Sequence, residues 1–443
     1  MTSLDTNQIT GSFVDQLDKK VLKDIENLYN KIDKDVEFEL MFFNYRQDKN
    51  KMGLENFLKI LDYLKYRSQK NKLTLSQTVT LDITYTKQIG ESYRITINGI
   101  DAINRYIKML HTKKNHVIFS VLIKLLDQDS SLSLMKKTKD KENIIDINDF
   151  DIRVRLSKET DVSKKEIDEL TKIKPDEGQN IMFRYKQRAS LEVESSKNSK
   201  ISIDLTNIKM TSHMNYLEKA LSVYELEIDC SSESKDIPKK YLDVIFSETN
   251  ILLKILQQGN FIISKTLEQA VLDHYAALLN LNKSEMVSLD GRKPVSLEVQ
   301  HISEPLPNKY AVTDKADGER FFLIIYKNAV FLISDLLNVR NTGILLPESK
   351  KQYNDSIIDG ELIFVQSANR YIFMGLDCLY SGGKDIRGTI PILERIQSID
   401  EIVEKCFINK NHEGYKHILY TKKYDIDDIL KFHETEIIKF MKA

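Results

Sequence analysis

The sequence predicts an α+β protein in two parts. The first is a strand-rich antiparallel domain with flanking helices; the second mixes helices and strands. Three observations carry this: two early stretches repeat apolar residues at three-to-four spacing, seven runs are extended and mostly alternate with period two, and residues 241–281 turn helical before further strands follow. At 443 residues the chain is too long for one ordinary core. Two domains are expected, 1–235 and 236–443, divided where residues 230–238 interrupt the pattern.

Val14, Leu17, Val21, Ile25 and Leu28 mark an opening amphipathic helix. A second follows Gly53, with Leu54, Phe57, Leu58, Leu61 and Leu64 expected on one face. The extended runs are 36–40, 78–85, 93–97, 152–156, 182–194, 201–206 and 223–228. Residues 117–126 are apolar almost throughout, and periodicity leaves open whether they form a buried strand or a helix. Residues 136–141 read as a charged turn and 195–200 as a hairpin connection. Within 241–281, apolar residues crowd at Ile245, Leu252 and Leu256, then at Leu267, Val271 and Tyr275.

Charge is abundant but balanced at a formal net −1, which argues against coating duplex nucleic acid by bulk electrostatics. Any phosphate site must be local. Cys230, Cys378 and Cys406 have no paired spacing, so neither a disulfide framework nor a zinc site is expected, and a reducing compartment fits. The N-terminus lacks a basic-then-apolar signal segment, and no apolar run approaches the roughly 18 residues of a membrane span, so the expectation is a soluble, intracellular protein with no membrane partner.

Alternation places Glu37 and Glu39 on one face of their strand, and Glu225 and Glu227 on one face of theirs. Brought side by side, these four carboxylates would repel unless a divalent cation sat among them, with magnesium or manganese the natural occupant. The same alternation supplies cations elsewhere: Arg94, then Arg153 and Arg155, then Arg184, Lys186 and Arg188. In phase with them run Glu192 and Glu194, and Asp204 on its own strand. A single strand with charges on one face is ordinarily a solvated sheet face, but here several strands segregate charge by sign. Closed with the polar face inward, they would hold metal at one side and a polyphosphate along basic walls.

These motifs resemble the triphosphate tunnel metalloenzymes, specifically the RNA 5′-triphosphatase module of capping enzymes from large cytoplasmic DNA viruses, over roughly residues 30–230. The resemblance implies that Glu37, Glu39, Glu225 and Glu227 carry the metal and that the six cations named above hold the triphosphate. Water would then attack the γ-phosphorus in line and leave a 5′-diphosphate RNA.

A second motif, Lys315-Ala316-Asp317-Gly318-Glu319-Arg320, lies between an expected strand at 310–313 and an apolar run at 321–326. About forty residues on, Asp359-Gly360-Glu361 ends another apolar strand, and residues 371–380 add one more with Asp377. The set is similar to the Lys-x-Asp-Gly signature of covalent nucleotidyltransferases, and Pro294-Val295-Ser296-Leu297 looks like the capping branch. The resemblance implies that Lys315 forms a phosphoramidate with GMP from GTP, that Arg320 and Glu361 hold the ribose, and that Asp377 supports the metal or the lysine. Leu376 stands where the family places a base-stacking aromatic, so stacking falls to Phe373 or is weaker. Of the later motifs, only Glu413-Gly414 and Lys422-Lys423 offer candidates, and residues 415–424 read instead as the strand and helix preceding them. The expectation is the front part of a longer polypeptide, with an incomplete nucleotidyltransferase domain.

The leading reading is therefore an mRNA capping enzyme acting on the 5′-triphosphate end of nascent RNA, first as triphosphatase and then as guanylyltransferase. A cytoplasmic viral setting and a methyltransferase domain or subunit come with the resemblance. The alternatives are a polynucleotide ligase fused to a polyphosphatase, and a non-catalytic RNA-binding subunit.

Overall fold

Eight antiparallel strands close into a barrel: β1 (Val36–Phe42), β2 (Leu75–Gln88), β3 (Glu91–Asn98), β4 (Leu132–Ile147), β5 (Ile152–Thr160), β6 (Ile181–Ser195), β7 (Ser199–Thr211) and β8 (Ser222–Ser232). Their order around the wall is β1-β5-β4-β3-β2-β6-β7-β8. The computed structural model describes residues 4–42, 52–88, 91–174, 180–233, 237–282, 286–291, 317–366, 370–388, 390–407 and 419–421. Closure pairs every strand on both sides and leaves no edge.

The barrel is polar inside and apolar outside. On β2 and β3, Leu81, Ile83, Tyr93, Ile95 and Ile97 point outward, beneath the helices Ile100–Thr112 and Asn115–Leu125, which contribute Ile103, Ile118, Phe119 and Leu122. The alternate residues Thr80, Asp82, Thr84, Arg94 and Thr96 line the interior. Period-two alternation thus separates a hydrophobic core from a charged cavity across one strand's thickness. The ambiguous stretch at 117–126 falls largely within the second of these helices, which buries Ile118, Phe119, Leu122 and Ile123.

Residues 136–141 are strand, not turn: β4 runs through them, because Lys136 and Lys137 find carboxylates on opposite faces, Glu166 at 2.8 Å and Glu159 at 3.0 Å. The helix after Gly53 spans Leu54–Asn71, but Leu54 and Leu58 are exposed, and its buried positions are Ile60 and Leu64.

The chain divides into two compact units, Phe13–Leu256 and Met1–Ser12 with Gln257–Ala443. The division lies after the helix Lys240–Leu256 rather than at 235/236. That helix belongs with the barrel, where Glu248 takes both ends of the Arg67 guanidinium, at 2.5 Å for Nη2–Oε1.

The second unit holds β9 (Glu319–Tyr326), β10 (Ala329–Ser334), β11 (Val339–Leu345), β12 (Ile357–Val365), β13 (Arg370–Ser381) and β14 (Lys384–Asp385), in the order β11-β10-β9-β12-β13-β14. A short strand β15 (Leu419–Thr421) runs parallel to β13. The apolar run in β9 reflects burial on both faces. Phe322, Ile324 and Tyr326 meet the helix Lys265–Leu278, while Phe321, Leu323 and Ile325 meet the helix Ile392–Ile402. Among the described residues, no helix is long and apolar enough to cross a membrane.

Candidate active site

The barrel encloses a cavity of about 470 Å³ lined by seven carboxylates and six cations. Strand order brings the two signs together. β1, with Glu37 and Glu39, lies between β5, with Arg155, and β8, with Glu225, Glu227 and Asp229. β6, with Arg184, Lys186 and Arg188, lies between β2, with Asp82, and β7, with Asp204. The two acidic strands β1 and β8 therefore lie side by side, β5 flanks β1 with Arg155, and β6 stands between single carboxylates on β2 and β7.

Each cation already has an acidic partner. Lys186 reaches Asp82 at 2.5 Å, Arg188 reaches Asp204 at 2.6 Å, Arg184 reaches Glu225 at 3.1 Å and Arg94 reaches Glu159 at 3.0 Å. Glu39 is the most heavily engaged carboxylate: it accepts from Arg155, from Ser157 at 2.8 Å and from Lys137 at 3.1 Å. Burial pushes its proton affinity up, but Lys137 and Arg155 more than offset this and hold its pKa down at about 2. Lys186 is lowered, first by burial and then by Arg184 and Arg94, against the pull of Asp82.

The opposite shift marks the other carboxylates. Glu227 is raised by burial and by Glu39 and Glu225, and Glu37 by burial and Glu159. Asp229 is raised furthest, by burial and then by Glu227 and Asp204, and its buried Oδ1 has no hydrogen-bond partner. Among the described residues no group of three or more acidic, histidine or cysteine side chains already stands in the arrangement of a metal site. The charge state nevertheless fits a divalent cation, because Glu227 and Asp229 carry repulsion that a cation would relieve and Asp229 offers an unspent oxygen.

Of the residues expected here, Glu37, Glu39, Glu225, Glu227, Arg94, Arg155, Arg184, Lys186 and Arg188 share this cavity. Arg153 does not line it. That guanidinium is taken up by Asp146, its partner across β4 and β5, at 2.6 and 3.0 Å. Lys137, Asp82, Glu159 and Asp229 line the cavity and were not expected. Continuing each alternation finds three of them: Glu159 lies four residues beyond Arg155, Asp229 two beyond Glu227, and Asp82 sits in phase with Thr78 and Thr80.

In the second unit, Lys315 and the strand expected at 310–313 lie outside the described residues, as do Pro294 to Leu297, Glu413-Gly414 and Lys422-Lys423. Arg320 and Glu361 are cross-strand partners, but the Arg320 guanidinium binds Asp359, at 2.6 and 2.9 Å. Glu361 has a buried Oε2 without a partner. Asp377 is gripped by Arg395 at 2.7 and 3.0 Å. Gly360 is required sterically, since a Cβ there would stand 2.4 Å from the Met374 carbonyl oxygen. Phe373 is 1% exposed in the core and unavailable to stack on a base, which removes it as the substitute aromatic.

Residues 261–439 match the family model of the mRNA capping enzyme, catalytic domain. Over 428 residues the chain is 27% identical to the probable mRNA-capping enzyme of Acanthamoeba polyphaga mimivirus. The chain resembles an mRNA-capping enzyme of the mimivirus type. That alignment covers 96% of this chain and 34% of the viral capping enzyme, so the chain spans about a third of the length of the curated relative it matches. Among solved structures, the mimivirus capping enzyme triphosphatase is 24% identical, covering 54% of this chain and 98% of that one, with a TM-score of 0.42. The S. pombe Pct1 RNA triphosphatase is 15% identical, covering 56% and 97%, with a TM-score of 0.32.

Proposed function

We propose that the barrel is a metal-dependent RNA 5′-triphosphatase and that the second unit is a guanylyltransferase that transfers GMP through Lys315. The observation that carries this is the cavity wall of β6, where Arg184, Lys186 and Arg188 recur every second residue, each in contact with a carboxylate of a nearby strand. Such a ladder of cations suits a chain of phosphates, which would replace the carboxylate partners one for one.

The lining already holds one more carboxylate than cations. A triphosphate entering alone would make the cavity strongly negative, so a divalent cation must accompany it. Glu37, Glu39, Glu225 and Glu227 would hold magnesium or manganese, with Asp229 as the added oxygen donor. When bound, the ion neutralises phosphate oxygens and polarises the γ-phosphoryl group. Arg155 and Lys137 keep Glu39 ionised, and Arg184, Lys186 and Arg188 fix the phosphates against attack by water. Water adds to the γ-phosphorus, the bond to the β-phosphate oxygen breaks, and inorganic phosphate and a 5′-diphosphate RNA leave. The proton lost by the water leaves with the inorganic phosphate or passes to solvent.

In the second unit, Arg320 and Glu361 would hold the ribose of GTP and Asp377 the metal or the lysine. Their present partners, Asp359 for Arg320 and Arg395 for Asp377, act as the supports that set their positions. A cytoplasmic site of action, and a methyltransferase as partner, belong to the same reading. RNA labelled at its γ-phosphate tests the first activity, with labelled phosphate and diphosphate-ended RNA as the expected products. Labelled GTP tests the second: an acid-labile adduct that is lost in Lys315→Ala would carry the guanylyltransferase reading, and labelling by ATP instead would favour the ligase alternative.

A further inference from the structure

Just past the end of β7 lies another cavity of about 560 Å³. Its walls are the last turn of the helix Ile100–Thr112, residues 113–114, the first turn of the helix Asn115–Leu125 and residues 212–215. His111, His116 and His213 supply three imidazoles and Lys113 and Lys114 two ammonium groups, and no carboxylate lines it. The contrast with the barrel is direct, since every cation there faces an acid, and the chain as a whole carries a formal net charge of −1. This basic concentration is therefore local and faces open space.

Two features add direction. The helix Asn115–Leu125 starts on Lys114 with no side-chain cap, so the positive end of its dipole adds to the lysines. The preceding helix ends at the same cavity with the opposite partial charge, and His111 and Lys113 stand at that end. Beside the cavity, Tyr216 is 62% exposed and its ring lies 6.1 Å from that of His213, edge to face. Flat rings beside cations, with no carboxylate among the described lining residues, suit bases and phosphates together better than phosphate alone.

The cavity is also placed along a path from the tunnel. Arg184, on the tunnel wall, is the cross-strand partner of Met210, and Ser212 of the second cavity follows two residues later, about 7 Å along the chain. We propose that this cavity binds the single-stranded RNA that follows the 5′-triphosphate end, with Lys113 and Lys114 on backbone phosphates and His116, His213 and Tyr216 against bases. The assignment rests on the triphosphatase reading of the barrel for which end of the RNA it takes, but its binding chemistry is independent of catalysis.

The test uses the full chain and a short, fluorescently labelled single-stranded RNA with a 5′-hydroxyl, so that the tunnel's phosphate site is not engaged. Anisotropy titrations across a salt series are expected to show roughly tenfold weaker binding in the double variant Lys113→Glu/Lys114→Glu. Loss of two phosphate contacts should reduce the slope of log affinity against log salt by about 1.4. Tyr216→Ala should weaken binding roughly tenfold with the slope unchanged. All three positions are exposed, and thermal melts should match the native protein. Steady-state hydrolysis should show a raised KM for triphosphate-ended RNA, with kcat and the hydrolysis of free nucleoside triphosphate unaltered. RNA affinity that is unchanged in both variants overturns the proposal, as does binding of polyglutamate as tight as that of RNA. If the variants lose RNA binding while the native chain releases no γ-phosphate from any substrate, the cavity stands and the triphosphatase reading falls.

Discussion

Glu39 on β1 and Asp229 on β8 are direct cross-strand partners, which sets two carboxylates side by side on the inner wall of the barrel. Their environments differ: Arg155, Ser157 and Lys137 satisfy Glu39, whereas Asp229 has a buried oxygen with no partner. The pair sets a carboxylate neutralised by protein beside one that keeps an unpartnered oxygen.

Replacing Asp229 with asparagine removes the repelled charge and keeps the shape. The thermal midpoint of Asp229→Asn should rise by roughly 2–5 °C, the scale of about 1–2 kcal/mol in a domain this size. The stabilisation that manganese gives the native protein should shrink in the variant. Scanning fluorimetry with and without manganese checks both.

Glu39 should behave oppositely. Glu39→Ala leaves Lys137 and Arg155 buried against an empty place and should cost about 3–5 kcal/mol, the price of an unpaired buried charge. Glu39→Gln keeps hydrogen-bond acceptance and should cost less. Urea denaturation followed by circular dichroism separates the two.

The network outside the barrel cavity gives a pH dependence. Hydrogen bonds from Lys136 and Ser163 hold the Glu166 pKa down at about 2, against an ordinary 4.5. A depressed carboxylate contributes stability above its unfolded pKa and loses it as pH falls through the folded one. The contribution, discounted for solvent screening to about 1 kcal/mol at this partly exposed site, should therefore be present above about pH 4.5 and fade toward pH 2. Glu166→Gln should flatten that part of the stability–pH curve.

In the second unit, Gly360→Ala drives a methyl into the Met374 carbonyl oxygen and the Phe373 ring. Backbone cannot yield as a flexible side chain can, so a loss of roughly 2–4 kcal/mol is expected. Limited proteolysis should reach the second unit first, with the barrel unit still resistant.

The barrel was legible because alternation is a local property. Glu37 and Glu39, or Arg184, Lys186 and Arg188, fall on one face whatever their neighbours, and a row of such strands implied an inward polar wall. Strand order was not legible, and it decides the electrostatics: the sequence separates the signs by strand, and the closed order then sets β1 against β5 and β6 against β7. Lys137 was lost to a turn reading because its run of lysines hides an alternation resolved only by carboxylates far along the chain. Arg153 shows the converse, since its phase is right but Asp146 across the hairpin claims it. The exposed Leu54 and Leu58 show that apolar spacing marks a helix more reliably than its buried face.

In the proposed function, the carboxylate wall works with a divalent cation on a triphosphate end. The most direct measurement is phosphate release from triphosphate-ended RNA as manganese or magnesium is titrated, in the native chain and in Glu227→Gln, with thermal melts to confirm that both are folded. The expected result is release that requires the ion, stops with chelator and falls at least about a hundredfold in the variant. Release that is indifferent to the ion, or unaltered in a folded Glu227→Gln, would contradict it.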